Sequence, residues 1–126
     1  MVKRLMLAIV LTFALGNPGQ AFQKLDGPRF YNATAHNVQM RATFTNGDFF
    51  SVMLVPGAFG IYWDLQQVAA IDVNEGAGRE IQLSGGTLPK VPDGLSKPYD
   101  QIWMIDDSQV CVVPHRHFDS HKHPKC

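Results

Sequence analysis

Cysteine is nearly absent from this chain: its 126 residues hold two, Cys111 and Cys126. A dense disulfide framework is excluded, so the fold must rest on an apolar core. Neither charge is in excess, with 11 basic residues against 11 acidic ones. No basic patch or acidic tail stands out, which argues against nucleic acid as a partner. Helical spacing is missing over any three turns, and the best short piece is Asp64–Ala70. Catalytic motifs are missing too. Ser51, Ser84, Ser96, Ser108 and Ser120 lack the glycine-flanked elbow of a hydrolase. Gly76-x-Gly78 and Gly85-Gly86 are turn glycines with no helix behind them to cradle a phosphate. Asp106-Asp107 reads as a solvated turn, and no residue is assigned a catalytic role.

Long apolar runs are scarce, and the one that exists lies at the N-terminus. Lys3 and Arg4 precede Leu5–Leu15, interrupted by Thr12, and Gly16-Asn17-Pro18-Gly19 follows. Gly19-Gln20-Ala21 then sets small residues where a signal peptidase reads. This order predicts a secretory signal peptide over 1–21, too short to span a bilayer. The expected product begins near Phe22 and is secreted or periplasmic, with no stable membrane span after cleavage. It keeps 105 residues, 9 of them basic and 11 acidic.

Residues 22–113 read as one β-domain. Val38, Met40, Ala42 and Phe44 alternate with polar residues, Asn46-Gly47 supplies a hairpin turn, and Phe50, Val52 and Leu54 line one face of the return strand. Ala58–Asp64 is an aromatic strand candidate, with Gly60 marking a bulge or a close backbone approach. Val68–Val73 and Arg79–Leu83 form a second hairpin, and Arg29–Asn32 a short edge strand. Residues 87–100, with three prolines, are an ordered crossing loop or a mobile flap. Gln101–Ile105 and Val110–Val113 complete the set. Short strands punctuated by turns predict an antiparallel β-sandwich of about seven strands, immunoglobulin-like, or else a small antiparallel barrel. The immunoglobulin cysteine spacing is absent.

The last stretch, 114–126, carries four of the five histidines as two His-x-His pairs, His115 with His117 and His121 with His123. In extended backbone each pair points to one side, so the four can surround one Cu, Zn or Ni ion. Asp119 or a Cys126 thiolate can replace one ligand. The competing readings are a solvated polar tail, or a cluster that gains charge below about pH 6.5. Cys111 and Cys126 can instead pair, closing a loop worth about 3 kcal/mol.

Phe49, Phe59, Tyr62, Trp63, Tyr99 and Trp103 are numerous for this length. Most are expected to fill the core, and Tyr99, on the 87–100 loop, is the first candidate for a binding platform. Asn32-Ala33-Thr34 matches a glycosylation sequon. Taken together, the residues predict an exported, non-catalytic binding or accessory domain for another exported or envelope protein or glycan. The alternative is an extracytoplasmic metal-binding protein using the C-terminal histidines.

Overall fold

The computed structural model describes residues 26–76, 79–107, 109–122 and 124–126. The expected signal peptide lies outside them. Among the described residues eight strands follow in order: β1 (Arg29–Asn32), β2 (Val38–Phe44), β3 (Phe49–Leu54), β4 (Phe59–Ile61), β5 (Val68–Gly76), β6 (Arg79–Ser84), β7 (Gln101–Asp106) and β8 (Gln109–Pro114). They form two four-stranded sheets, β4-β1-β7-β8 and β3-β2-β5-β6. The sheets are separate and pack face to face, a sandwich and not a closed barrel. Among the described residues no helix is long and apolar enough to cross a membrane.

The second sheet follows from alternation. Val38, Met40, Ala42 and Phe44 are buried while Gln39 and Arg41 are exposed. β2 and β3 pair from Val38↔Leu54 to Thr43↔Phe49. Phe44 donates its amide to Asp48 O at 2.8 Å and accepts from Gly47 N at 2.9 Å. Gly47 takes φ +92°, a value open to glycine at no steric cost. β5 pairs with β2 on its other side and with β6 in the second hairpin.

The first sheet departs from expectation in two ways. Arg29–Asn32 is not an edge strand: it lies between β4 and β7, with Phe30 and Asn32 fully buried. It also pairs in parallel with β7, from Arg29↔Ile102 to Asn32↔Ile105, so this sheet is mixed and not purely antiparallel. Short polar neighbours on either side of RFYN disguise a strand that only a partner 73 residues away completes. The Ala58–Asp64 candidate shrinks to three residues, because Tyr62–Gln67 turn away as a loop, and no helix forms over Asp64–Ala70.

Phe30, Trp103 and Ile105 from the first sheet meet Val38, Met40, Phe44, Ile71 and Val73 from the second in the inter-sheet core. Each such side chain, fully buried, contributes about 1.5–3 kcal/mol. Phe44 stacks on Tyr62 at 4.0 Å between centroids and 21° between planes. Gly60 faces this core, and a Cβ there would meet Phe50 Cε2 and Val52 Cγ1 at 3.2 Å. It is the close approach anticipated from its position in the strand.

The 87–100 segment is an ordered crossing loop. Leu95 and Pro98 are buried, Gln101 Nε2 donates to Leu95 O at 2.6 Å, and Trp103 Nε1 donates to Gln101 Oε1 at 3.1 Å. Gln67 Nε2 holds Ser96 O at 2.9 Å. A buried glutamine thus ties the loop to the core tryptophan with both ends of its amide used.

Candidate functional site

The C-terminal residues are not a free tail. Every residue of β7 is buried, which requires cover on both faces. One face looks into the sandwich. On the other, Tyr31, Ile102 and Met104 form a second apolar cluster, with Ala33, Cys111, Val113 and Phe118 packed against it. Residues after Pro114 supply that cover as a strap laid over the outer face of the sheet. Phe118 sits edge-on to Tyr31 and to Phe59, at centroid distances of 4.8 and 5.4 Å. Cys111 and Cys126 are joined in a disulfide, with Cα atoms 5.8 Å apart, and Cys126 N donates to Asp106 Oδ2 at 3.0 Å. The strap is therefore fixed by an aromatic plug in its middle and a covalent bond at its end.

This placement decides what the histidines can do. His115–His117 and Ser120–Lys122 form 3-10 turns instead of extended chain, so His115 and His117 no longer share a side. His115 and His117 are exposed. His121 Nδ1 lies 3.4 Å from Asp119 Oδ1. The Asp119 carboxyl is held below its ordinary range, first by the His121 backbone N–H and then by that imidazole. His123 lies outside the described residues. Cys126, spent in the disulfide, is not a ligand. Among the described residues no three of His, Cys, Asp and Glu gather around one point.

Tyr99 lies where four segments converge, at the end of the sandwich where β1 begins. Its carbonyl accepts from Arg29 Nη1 at 2.8 Å, and Lys97 Nζ stands 5.8 Å over its ring. The Pro98–Asp100 turn touches the His115–His117 turn, so the structure brings Tyr99 beside two of the four histidines. The Tyr62–Gln67 loop joins the same end through Tyr62 N to Pro28 O (3.1 Å) and Thr45 N to Gln67 O (3.0 Å). Trp63 and Leu65 on that loop are 50% and 52% exposed, and Tyr99 is 36% exposed. Tyr62 itself turns inward. Burial, then the nearby Asp48 carboxylate, pushes its hydroxyl up to about 12, and it donates to Asp48 Oδ2 at 3.3 Å.

At the opposite end a cleft of about 490 Å³ opens between the strap and the 33–35 and 56–57 loops. Its charged residues, Asp107 and Lys125, are exposed, and its lining also includes the buried Tyr31. Asn32 borders it but is fully occupied. Its Nδ2 donates to His36 O (2.7 Å) and Leu54 O (2.9 Å), and its Oδ1 accepts from Thr34 N (2.9 Å). Thr34 Oγ1 lies 2.7 Å from the same oxygen. The sequon asparagine is a buried structural pin, with no amide nitrogen to offer a sugar. Two features went unseen in the sequence: Phe118 as the plug and Asn32 as the pin. For Phe118 the signal was present, since it is the single aromatic after Trp103. Compared with protein-family models, curated proteins and solved structures, the chain matches none of them.

Proposed function

We propose that this chain is an exported, non-catalytic binding domain, secreted or periplasmic, that engages another exported or envelope macromolecule through the end bearing Trp63, Leu65 and Tyr99. The observation that carries the reading is the convergence there of large, half-exposed aromatic and aliphatic side chains on loops held by backbone hydrogen bonds. Rigid amphipathic side chains of this kind supply contact area at little entropic cost. The Lys3-Arg4 and Leu5–Leu15 pattern supports export, and a disulfide suits an oxidising compartment. The immunoglobulin-like comparison stays one of architecture: two facing sheets with loops gathered at the ends.

The test is photo-crosslinking in the producing cell, with a photoreactive residue at Trp63 or Tyr99 and a control at Gln82 on the outer face of β6. An exported product with one discrete adduct from the loop positions alone is expected. Cytoplasmic retention, or equal labelling from all three positions, defeats the reading.

The metal-binding alternative keeps one supporting observation: His115, His117 and His121 are all solvent-facing on a single strap. Removing everything after Pro114 would be a poor test, because it uncovers the Tyr31, Ile102 and Met104 face. Native mass spectrometry with Cu²⁺, Zn²⁺ and Ni²⁺ on the intact protein serves instead. One ion held tightly, and lost when His115, His117, His121 and His123 become alanine, would favour metal binding. Graded, non-stoichiometric uptake would remove it.

A further inference from the structure

The two edges of the β3-β2-β5-β6 sheet differ in their defences. β6 carries Arg79 and Glu80, and its ladder with β5 shifts register between Asn74 and Gly76. Charge and irregularity are how natural sheets block unwanted pairing. β3 has neither. From Phe49 to Trp63 the sequence holds no charged residue and no histidine. Phe49 and Met53, on the outer face of β3, are 56% and 59% exposed, and Val55 just beyond is 53% exposed.

The hydrogen-bond phase of this edge is fixed. In an antiparallel ladder, opposed residues alternate between bonded and non-bonded pairs. Phe44 N donates to Asp48 O, so the pairs in step with it, Ala42↔Phe50, Met40↔Val52 and Val38↔Leu54, are the bonded ones. The backbone groups of Phe50, Val52 and Leu54 therefore point to β2. Those of Phe49, Ser51 and Met53 point to the open side, where no backbone partner among the described residues meets them.

We infer that β3 pairs antiparallel with β3 of a second copy about a two-fold axis through Ser51, joining two four-stranded sheets into one of eight. In that register Ser51 opposes Ser51 and Phe49 opposes Met53 on each side of the axis. All three outward-facing residues then fall in bonded pairs, which neither neighbouring two-residue shift achieves. The facing side chains are complementary: an aromatic ring meets a thioether, a favourable contact. A strand free of charge meets its own copy without like-charge repulsion. The nearest charge on this face, Arg41, lies over the Phe49 ring at 4.1 Å on the adjacent strand. Its counterpart would be three strand spacings away, roughly 14 Å, beyond the screening length at physiological salt. This surface uses residues other than Trp63, Leu65 and Tyr99, so the two readings stand or fall independently.

Sedimentation velocity on the intact protein over a concentration series tests the pairing. A concentration-dependent dimer is expected. The exposed double variants Phe49→Lys/Met53→Lys and Phe49→Glu/Met53→Glu should each be folded by circular dichroism yet monomeric. Mixed together they should recover a heterodimer, because each lysine then faces a glutamate. A Gln82→Lys variant on the opposite edge should dimerise as the parent does. A parent that stays monomeric through the series overturns the inference, as does a dimer that survives in both double variants. Failure of the mixed variants to associate overturns it as well.

Discussion

Phe118 meets Tyr31 edge-on, at 4.8 Å between centroids and 71° between planes, and that contact turns the last twelve residues into a third layer of the fold. The polar composition of the segment conceals this. One ring and one disulfide suffice to keep it seated over an otherwise bare sheet face.

Replacing Phe118 with alanine should therefore cost about 2 kcal/mol, the sum of lost burial and two aromatic contacts at a half-buried site. Cys126→Ser should cost up to about 3 kcal/mol by freeing the fifteen-residue loop. Both release the same strap, so the double variant should fall short of the sum of the two. Urea unfolding of the three proteins measures this, and full additivity would mean that plug and bond act separately.

Asn32→Ala should be among the most damaging single changes in the chain. It removes one donor each from the His36 and Leu54 carbonyls and the acceptor of the Thr34 amide, for about 3 kcal/mol. Asn32→Asp tests the direction of the network. The second carboxylate oxygen would face those two carbonyls, so this near-isostere should destabilise at least as much as alanine in a denaturant melt at pH 7.

Tyr62 sets a high-pH boundary. Its hydroxyl loses a proton at about 12 in the fold, against about 10 in the unfolded chain. The native state holds that proton more tightly, so the contribution is intact below pH 10 and declines as pH climbs from 10 through 12. Tyr62→Phe should remove this portion of the alkaline loss. Thermal melts across pH 9–12 reveal it, and parallel curves for the two proteins would contradict a hydroxyl raised by burial and by Asp48.

Glycines 27 and 60 should rank in a definite order. A Cβ on Gly27 would collide with the Tyr62 and Asp64 carbonyls, which are backbone and cannot step aside cheaply. One on Gly60 meets only side-chain carbons, at 3.2 to 3.4 Å. Gly60→Ala should cost about 1–3 kcal/mol as overpacking, and Gly27→Ala more. Urea midpoints give the comparison.

Both hairpins of the second sheet were legible because their strands bury one face and wet the other, which writes a period of two into the residues. The Gly60 approach and the Cys111–Cys126 pairing were legible as well. β7 was found but its surroundings were not, since a strand covered on both faces has no alternation to betray what covers it. β1 was misplaced at an edge because four residues cannot announce a parallel partner far along the chain. At His115–His117 the extended geometry gave way to a 3-10 turn, because Phe118 must reach down to the sheet while the residues before it stay in water.

The parallel ladder between β1 and β7 also governs when the fold can close. Arg29 meets Ile102 across nearly the whole length of the domain, and β1 has only the three-residue β4 on its other side. The two hairpins of the second sheet can zip from local turns, whereas the first sheet lacks its centre until the residues of β7 arrive. Loop closure over such a span is slow compared with hairpin formation. A chain emerging N-terminus first would therefore hold RFYN unsheltered until β7 has emerged, and the Cys111–Cys126 disulfide can seal the structure only after that.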